Sequence, residues 1–181
     1  MRHLRLATAG FALVVLAGCS SPMGMTNLSK DTSSLSAADR SFISQAAYSS
    51  LAEVDLGKLA QTQASSQQVR DFGGRMVTEH TQMNNDLIAL ASNKGITPPS
   101  STDDGREAIA DMLEQLSGSD FDRQYIPQQL ADHETTLALF QGQASRGQDV
   151  ELRQFAQRYS PVIQRHAEML RRMSTQAISS N

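Results

Sequence analysis

Three histidines at widely separated positions are the side chains in this sequence best suited to hold a metal ion. His80, His133 and His166 each lie in a segment whose apolar residues recur every three or four positions, and each fills one of those positions. Glu53 fills the matching position in a fourth segment. Buried imidazoles and carboxylates need partners, because an isolated polar group is costly to remove from water. A divalent metal would be such a partner, so this residue set predicts a Glu/His metal site.

Two other interpretations of these four residues, which we call the polar layer, stay open. In the first, a hydrogen-bonded Glu/His network fixes the register of the helices without any metal. In the second, the four side chains are buried separately and do not contact one another. Three acidic residues, Glu79, Asp132 and Glu134, lie just beside the apolar series. They either orient the imidazoles from behind or form a solvated flank.

The spacing around the histidines argues against the usual di-iron carboxylate site of helix bundles. That site has Glu three residues before His on two helices, whereas Val77, Leu130 and Ile163 stand at those positions here. We therefore expect a mononuclear site for zinc, manganese or iron. Copper is a weaker expectation, because the methionines near the histidines are more often core fillers than thioether ligands. These methionines are Met76, Met83, Met169 and Met173.

The sequence carries no signature of a familiar enzyme. It contains no nucleophile triad, phosphate loop or dinucleotide-binding motif. We therefore expect a protein without a catalytic role. A redox enzyme is the third possibility, and it would need an open coordination position at the metal and a channel leading to it.

Four long amphipathic helices must position the histidines and Glu53. They are predicted to begin at Ser36, at Ser65 or Ser66, at Ser119 and near Asp149. Tight turns join the first two helices and the last two, while a long connection with a short helix at about 104–116 links the pairs. This pattern predicts an all-α, ferritin-like four-helix bundle over 36–174, with two antiparallel hairpins and one long crossover. Because the two hairpin turns then lie at opposite ends, the four polar side chains can meet near the middle.

Two local features refine this bundle. Gly73-Gly74 interrupts the second helix at about 1 kcal/mol per glycine, which predicts either a close helix contact or a cavity. The core-facing series also specify the face of each helix. On the first helix the series is Phe42, Ala46, Ser49, Glu53, Leu56 and Ala60. On the third long helix it is Ile126, Leu130, His133, Leu137, Phe140 and Ala144.

The opening segment predicts export. Two arginines precede an uncharged, mostly apolar run, 6–17, which as a helix would span about 18 Å and so falls short of the roughly 30 Å hydrocarbon core. We interpret 1–18 as a signal peptide rather than a membrane span. It leads into Leu16-Ala17-Gly18-Cys19, which looks like a bacterial lipobox, so Cys19 is the expected lipidation site. The alternative is an ordinary secretory signal with a chance cysteine. Cys19 is the only cysteine of the chain, so no internal disulfide is expected.

The expected mature chain is an acidic, tethered domain. Without the two arginines of the signal, the chain has 14 basic and 19 acidic residues. The resulting net charge near −5 disfavours binding to nucleic acid. The segment 19–35 predicts a flexible, lipidated tether, and 175–181 predicts a disordered tail. Ser20 and Ser21 follow the cysteine with no Asp, a pattern that directs lipoproteins of enteric-type bacteria to the outer membrane. We therefore expect an envelope protein that faces the periplasm and is held on the membrane by lipid, with its protein partner unspecified.

Several motifs of the chain resemble one bacterial family. They are Glu53-Val54-Asp55-Leu56-Gly57-Lys58-Leu59-Ala60, Val69-Arg70-Asp71-Phe72, Met76-Val77, Glu79-His80, Lys94-Gly95, Phe121-Asp122-Arg123, Tyr125, Asp132-His133, and Pro161 followed by His166. Over roughly 37–173 the chain is similar to the family called domain of unknown function 4142, assigned to the ferritin-like superfamily, although Glu79 stands where that family usually has Asp. The resemblance implies a ferritin-like bundle exported to the envelope, often as a lipoprotein and loosely associated with stress, with the Glu/His layer as its centre. It implies no agreed reaction. The sequence thus predicts a metal-binding lipoprotein or, alternatively, a structural or protein-interaction lipoprotein whose polar layer only sets register.

Overall fold

Five α-helices form the part of the chain that the structure describes. The computed structural model describes residues 35–179, with side chains up to Thr175. The helices are α1 (Ala37–Gln63), α2 (Gln67–Ser92), α3 (Asp104–Glu114), α4 (Gly118–Arg146) and α5 (Val150–Ser179). The expected signal peptide, the lipidation site Cys19 and the tether before Leu35 lie outside the described residues. Within residues 35–179, no helix combines the length and the apolar character needed to span a bilayer.

Asp39 joins the start of α1 to the turn between α4 and α5. Ser36 caps α1 by accepting a hydrogen bond from the backbone N–H of Asp39 at 3.0 Å, as the sequence predicts. The buried carboxylate of Asp39 accepts a further hydrogen bond from the Gln143 side chain at 2.7 Å. It also accepts from the backbone N–H groups of Gln148 and Asp149, each at 3.2 Å. The N-terminus of α1 therefore lies at the same end of the bundle as the α4–α5 turn.

The α1–α2 turn lies at the opposite end, against the start of α4. Asp122 on α4 accepts hydrogen bonds from the backbone N–H of Ser66 at 2.9 Å and from the hydroxyl of Ser65 at 2.5 Å. Ala64 and Gly118 also form an isolated parallel bridge there. The crossover that contains α3 therefore returns the chain along the length of the bundle. The predicted connectivity, two antiparallel hairpins joined by one long crossover with a short helix, is confirmed, and it is the type that ferritin-like bundles use.

Two glycines bring α1 and α2 into direct backbone contact. A Cβ atom at Gly57 would lie 2.7 Å from the carbonyl oxygen of Gly73, and a Cβ atom at Gly73 would lie 2.6 Å from the carbonyl oxygen of Gly57. Any larger residue would force the helices apart, so Gly73 provides a close helix contact rather than a cavity. Gly57 follows Glu53 by one turn, and Gly73 precedes His80 by two turns. The contact therefore fixes the spacing of α1 and α2 next to the polar layer.

Three boundaries differ from those that the sequence predicts. α4 begins at Gly118 rather than after a Ser119 cap, because Gly118 adopts a φ of +61° that turns the chain into the helix. α5 continues to Ser179 rather than ending at Ser174, since no glycine or proline follows Ser174 in this last part of the helix. At the start of the domain, Leu35 packs against the core, so the packed domain includes the last residue assigned to the tether.

The core consists of two hydrophobic clusters with the polar layer between them. The upper cluster, towards the α4–α5 turn, comprises Phe42, Ile43, Ala46, Ala47, Met83, Leu87, Ala91, Phe140, Leu152, Phe155, Ala156, Tyr159 and Ile163. The lower cluster, towards the α1–α2 turn, comprises Leu56, Ala60, Ala64, Val69, Phe72, Met76, Leu113, Phe121, Tyr125, Ile126, Leu170 and Met173. On each long helix, the predicted site residue falls between members of the two clusters. The polar layer therefore divides the core near the middle of the bundle.

Candidate metal centre

Each of the four long helices places one polar side chain in the layer between the two clusters. Glu53 on α1 is 4% exposed, and His80 on α2, His133 on α4 and His166 on α5 are each 1% exposed. They lie there because their apolar neighbours on the same helix face, three to seven residues away, are buried in the upper and lower clusters. Periodicity thus explains why these four side chains are buried. Their contacts show which of them lie close to one another.

The three histidines converge on one point. One ring nitrogen from each of His80, His133 and His166 lies within 4.8 Å of the other two, and the ring centroids are 5.3 to 5.7 Å apart. Phe72 of the lower cluster borders this group, with its ring centroid 6.1 Å from that of His133 and 6.2 Å from that of His166. The rings come from both hairpins, so the cluster forms only where the two hairpins pack together.

His133 is held so that one of its nitrogens carries a free lone pair. Its Nδ1 lies 2.9 Å from the backbone carbonyl oxygen of Gln129, one turn earlier on α4. A carbonyl oxygen only accepts, so Nδ1 carries the proton and Nε2 of the neutral ring carries the lone pair. This Nε2 is buried and has no hydrogen-bond partner among the described residues. Burial lowers the pKa of His133 to about 3, and the neighbouring His166 adds to that decrease, so the ring is neutral at physiological pH.

Glu79 holds His166 in a matching way. The Nε2 of His166 lies 2.8 Å from one carboxylate oxygen of Glu79, and the other oxygen accepts a hydrogen bond from Arg75 at 2.8 Å. Partial burial raises the pKa of Glu79, but the hydrogen bonds from His166 and Arg75 outweigh this effect and lower it. The ionised carboxylate accepts the Nε2 proton, which leaves the lone pair on Nδ1. That Nδ1 is buried and has no partner within the described part of the chain.

His80 is the histidine with the greatest need for a further partner. Neither of its ring nitrogens has a hydrogen-bond partner among the described side chains and backbone groups. Burial lowers its pKa well below the usual value, and the nearby His133 and His166 lower it further. The ring is therefore neutral, with one N–H and one lone pair left unsatisfied. A buried polar group without a partner costs about 1–3 kcal/mol, and a ligand at the cluster would offset that cost.

Glu53 lies beside His133 and outside the group of converging nitrogens. Its Oε1 is 3.7 Å from the Nδ1 of His133, the nitrogen that already donates to Gln129. It does not belong to the set of side chains whose ligand atoms all lie within 4.8 Å of one another. Burial raises the pKa of Glu53 well above its usual value, and the charge of Asp132 raises it further. The structure thus brings together three of the four predicted site residues and places the fourth behind one of them.

Tyr125 and Gln129 also belong to this region, although neither is among the site residues that the sequence predicts. The Tyr125 hydroxyl and both polar atoms of the Gln129 amide are buried without partners among the described residues, as is Oε2 of Glu53. Burial raises the pKa of Tyr125, and the nearby charge of Glu53 raises it further. Tyr125 and Gln129 precede His133 by eight and four residues and so share its helix face. This spacing is the signal that could have identified them.

The buried face of α4 differs from the apolar series that the sequence predicts. It comprises Phe121, Tyr125, Ile126, Gln129, His133, Thr136, Phe140 and Gln143. Three members of the predicted series are only partly buried, namely Leu130, Leu137 and Ala144. The physical reason is polar pairing with α1, since Gln143 donates to Asp39 at 2.7 Å and the hydroxyls of Thr136 and Ser49 lie 3.4 Å apart. The prediction for His133 itself holds, because the observed and predicted faces overlap there.

The acidic residues beside the histidines have different roles. Glu79 is the one that forms a hydrogen bond with an imidazole within the described structure. Asp132 accepts a hydrogen bond from Gln128 at 3.1 Å, and burial raises its pKa. Glu134 pairs with Arg171 at 2.7 Å on the exposed surface. Orientation of an imidazole thus falls to Glu79, whereas Glu134 belongs to the solvated flank.

The fold and the cluster define a class: an all-α bundle with a buried cluster of three histidines. The chain belongs to the family described as Domain of unknown function (DUF4142), because the model of that family matches residues 25–173. No curated protein and no solved structure matches the chain.

Proposed function

We propose that this chain is a metal-binding protein of the cell envelope, with His80, His133 and His166 as the metal ligands. The observation that carries the proposal is the pair of fixed tautomers. Gln129 and Glu79 each hold one nitrogen of a ring, which leaves a lone pair on the other nitrogen of that ring, in the buried cluster. Metal-binding histidines commonly donate their second N–H to a carbonyl or carboxylate in this way.

The cluster needs only a small adjustment to bind an ion. Metal–nitrogen bonds of about 2.0–2.1 Å place the ligand nitrogens about 3.4 Å apart, and the three nitrogens already lie within 4.8 Å of one another. Small changes of side-chain rotamer close this difference. Glu53 then supports the site from behind His133. An ion would also give the buried lone pairs a partner, which the described residues around them do not supply.

Metal titration tests this proposal. The full chain carrying Cys19→Ser is purified in mild detergent, stripped with a chelator, and titrated with Zn²⁺, Mn²⁺, Fe²⁺ and copper by calorimetry, with elemental analysis of the product. We expect one ion per chain and loss of binding in His80→Asn. Thr81→Asn, at the exposed neighbouring position on α2, is the matched control and should bind like the parent. Circular dichroism verifies that each variant is helical. Dissociation constants no lower than about 1 mM, or equal binding by His80→Asn, would sink the proposal.

Attachment to the envelope is the second part of the proposal. The lipobox-like Leu16-Ala17-Gly18-Cys19 and the short apolar run before it support lipidation at Cys19. We propose that the domain faces the periplasm and is anchored to the outer membrane, where two or more acyl chains give stable attachment. Labelled palmitate should enter the parent and the control Ser20→Ala but not Cys19→Ser, and the parent should fractionate with outer membranes. Equal labelling of all three chains would contradict lipidation at this cysteine.

A structural role for the polar layer is the competing function. It is favoured by the hydrogen bonds of His133 to Gln129 and of His166 to Glu79, because they satisfy part of the layer without any ion. In that case, replacing all three histidines by Leu keeps or raises the stability of the bundle, and added metal leaves its Tm unchanged. A metal-dependent rise in Tm that the triple variant lacks decides in favour of the metal site.

A further inference from the structure

Within the described residues, no carboxylate belongs to the group of ligand atoms at the histidine cluster. That group contains three imidazole nitrogens and no oxygen. Glu79 contacts His166 at Nε2, and Glu53 approaches the Nδ1 of His133. All the prospective ligands are therefore neutral imidazoles, so a bound ion would bring its whole charge into the core.

The surroundings of the cluster make that charge costly. Apolar side chains of the lower cluster, including Phe72 and Met76, lie on one side of the layer, and Met83 of the upper cluster lies on the other. The free energy needed to move an ion out of water rises with the square of its charge, so a divalent ion costs about four times as much as a monovalent one. Glu79 is hydrogen-bonded to His166, and Glu53 lies 3.7 Å from the Nδ1 of His133, so each carboxyl group lies beside a histidine and neither belongs to the ligand group. An ion without a direct anionic ligand in this layer is least costly when it carries a single positive charge.

The number of ligands points in the same direction. Protein zinc sites are four-coordinate, and a site with three protein ligands keeps a water in the fourth position. Cu(I) is a d¹⁰ ion that is stable with three nitrogen ligands, and soft thioethers are compatible neighbours for it. Met76 and Met83 lie one helical turn before and after His80, and both are fully buried. Three imidazoles, with buried methionines one turn before and after His80, therefore suit Cu(I) better than Zn²⁺.

From the neutral ligand set, the apolar surroundings and the three-ligand geometry, we infer that the histidine cluster binds Cu(I) in preference to divalent ions. This inference rests on the proposed metal site and names the ion that the site selects. It reverses the order expected from the sequence, which places zinc, manganese or iron ahead of copper. Helical spacing predicts Glu53 as a ligand, whereas the structure places Glu53 outside the ligand group.

Competition between Cu(I) and Zn²⁺ tests the inference. The full chain carrying Cys19→Ser, which has no thiol, is kept in mild detergent with ascorbate under nitrogen. Each ion is titrated against a chromophoric chelator of known affinity. We expect one Cu(I) per chain, bound at least about 100-fold more tightly than Zn²⁺. Thr81→Asn, the exposed control on α2, should keep the affinity for Cu(I), His80→Asn should lose it, and X-ray absorption of the copper complex should show three imidazole ligands.

The possible outcomes separate this inference from the proposed function. Equal or tighter binding of Zn²⁺ at the same site overturns the preference for Cu(I) and leaves the metal site standing. Failure of both ions to bind overturns the preference for Cu(I), and failure of Mn²⁺ and Fe²⁺ as well overturns the proposed function itself. Equal affinity of the parent and His80→Asn for Cu(I) also overturns the inference, since the ion then lies elsewhere. Circular dichroism identifies a variant that fails to fold, and His166→Gln then takes the place of His80→Asn.

Discussion

The glycine contact between α1 and α2 leads to stability changes of opposite sign at two adjacent positions. A Cβ atom at Gly73 would lie 2.6 Å from the carbonyl oxygen of Gly57 and 2.8 Å from the Cβ of Ala60. Ordinary contacts begin near 3.4 Å, so the two helices would have to separate by about 0.8 Å. Overpacking of this kind costs about 1–3 kcal/mol. Because the atoms contacted are a backbone oxygen and a Cβ, we expect a cost near the upper value, which exceeds the gain of about 1 kcal/mol in helix propensity. At Gly74 the nearest atom is 3.8 Å away, on the Gln61 side chain, so alanine there gains about 1 kcal/mol of helix propensity.

Gly73→Ala and Gly74→Ala therefore form a matched pair for one experiment. Denaturant unfolding followed by circular dichroism should give a lower free energy of unfolding for Gly73→Ala and a higher one for Gly74→Ala than for the parent. Each kcal/mol corresponds to about 2–4 °C in Tm for a protein of this size. Because Gly73 lies two turns before His80, its substitution should also weaken metal binding, whereas the change at Gly74 should not. Equal stability of the two variants, or a more stable Gly73→Ala, would refute the glycine contact.

Three further substitutions test the site and the frame around it. Glu79→Gln removes the carboxylate that fixes the tautomer of His166, so metal affinity should fall about 10–100-fold in a calorimetric titration. Burial raises the pKa of Glu53, so the stability contributed by its protonated form is lost as the pH rises above the usual 4.5. The free energy of unfolding of metal-free Glu53→Gln should therefore exceed that of the parent at about pH 8, and this excess should shrink towards about pH 4. Asp39→Asn should lower the free energy of unfolding by about 3 kcal/mol in denaturant titrations, because its amide group would face the hydrogen-bond donors of the α4–α5 turn.

Each of these substitutions has a control or a contradicting result. Glu134→Gln changes an exposed carboxylate that pairs with Arg171 and should leave metal affinity unchanged, so an equal loss in both Gln variants would contradict a specific role for Glu79. A stability difference between Glu53→Gln and the parent that does not vary with pH would show that the carboxyl group does not titrate between folded and unfolded states. Unchanged stability of Asp39→Asn would mean that its contacts do not hold the start of α1 to the α4–α5 turn.

Periodicity was sufficient to predict the fold because the turns interrupt the helices clearly and the predicted core series of α1 lies within its buried surface. Every member of that series is buried, including the polar Ser49 and Glu53. On α4 the same reasoning selected Leu130 and Leu137, which are only partly buried. There the buried positions include Gln143, whose amide pairs with a carboxylate on α1. A hydrophobic pattern gives no weight to a residue that is buried through a polar partner on another helix.

The contacts within the site could not be predicted in the same way. Spacing along one helix determines which face a residue occupies, but it does not determine which side chain of a neighbouring helix lies opposite. Glu79 is one residue off the apolar series of α2 and yet bonds directly to His166. Glu53 is on the series of α1 and yet lies behind His133. The difference depends on the distance and rotation between packed helices, which the glycine contact and the polar pairs set.

The histidine cluster would couple metal binding to the packing of the two hairpins. The α1–α2 hairpin supplies His80 alone, whereas the α4–α5 hairpin supplies His133 and His166. The contacts of the acidic residues also join the two hairpins, because Glu53 and Glu79 come from the first hairpin and contact histidines of the second. A separated hairpin thus lacks the full ligand set, and an ion that binds only the packed form stabilises it by about 2.7 kcal/mol at a hundredfold excess over Kd. This stabilisation acts on the contact between the hairpins, so bound metal should slow amide hydrogen exchange in both hairpins together. Exchange that slows in one hairpin alone would mean that the ion does not bridge them.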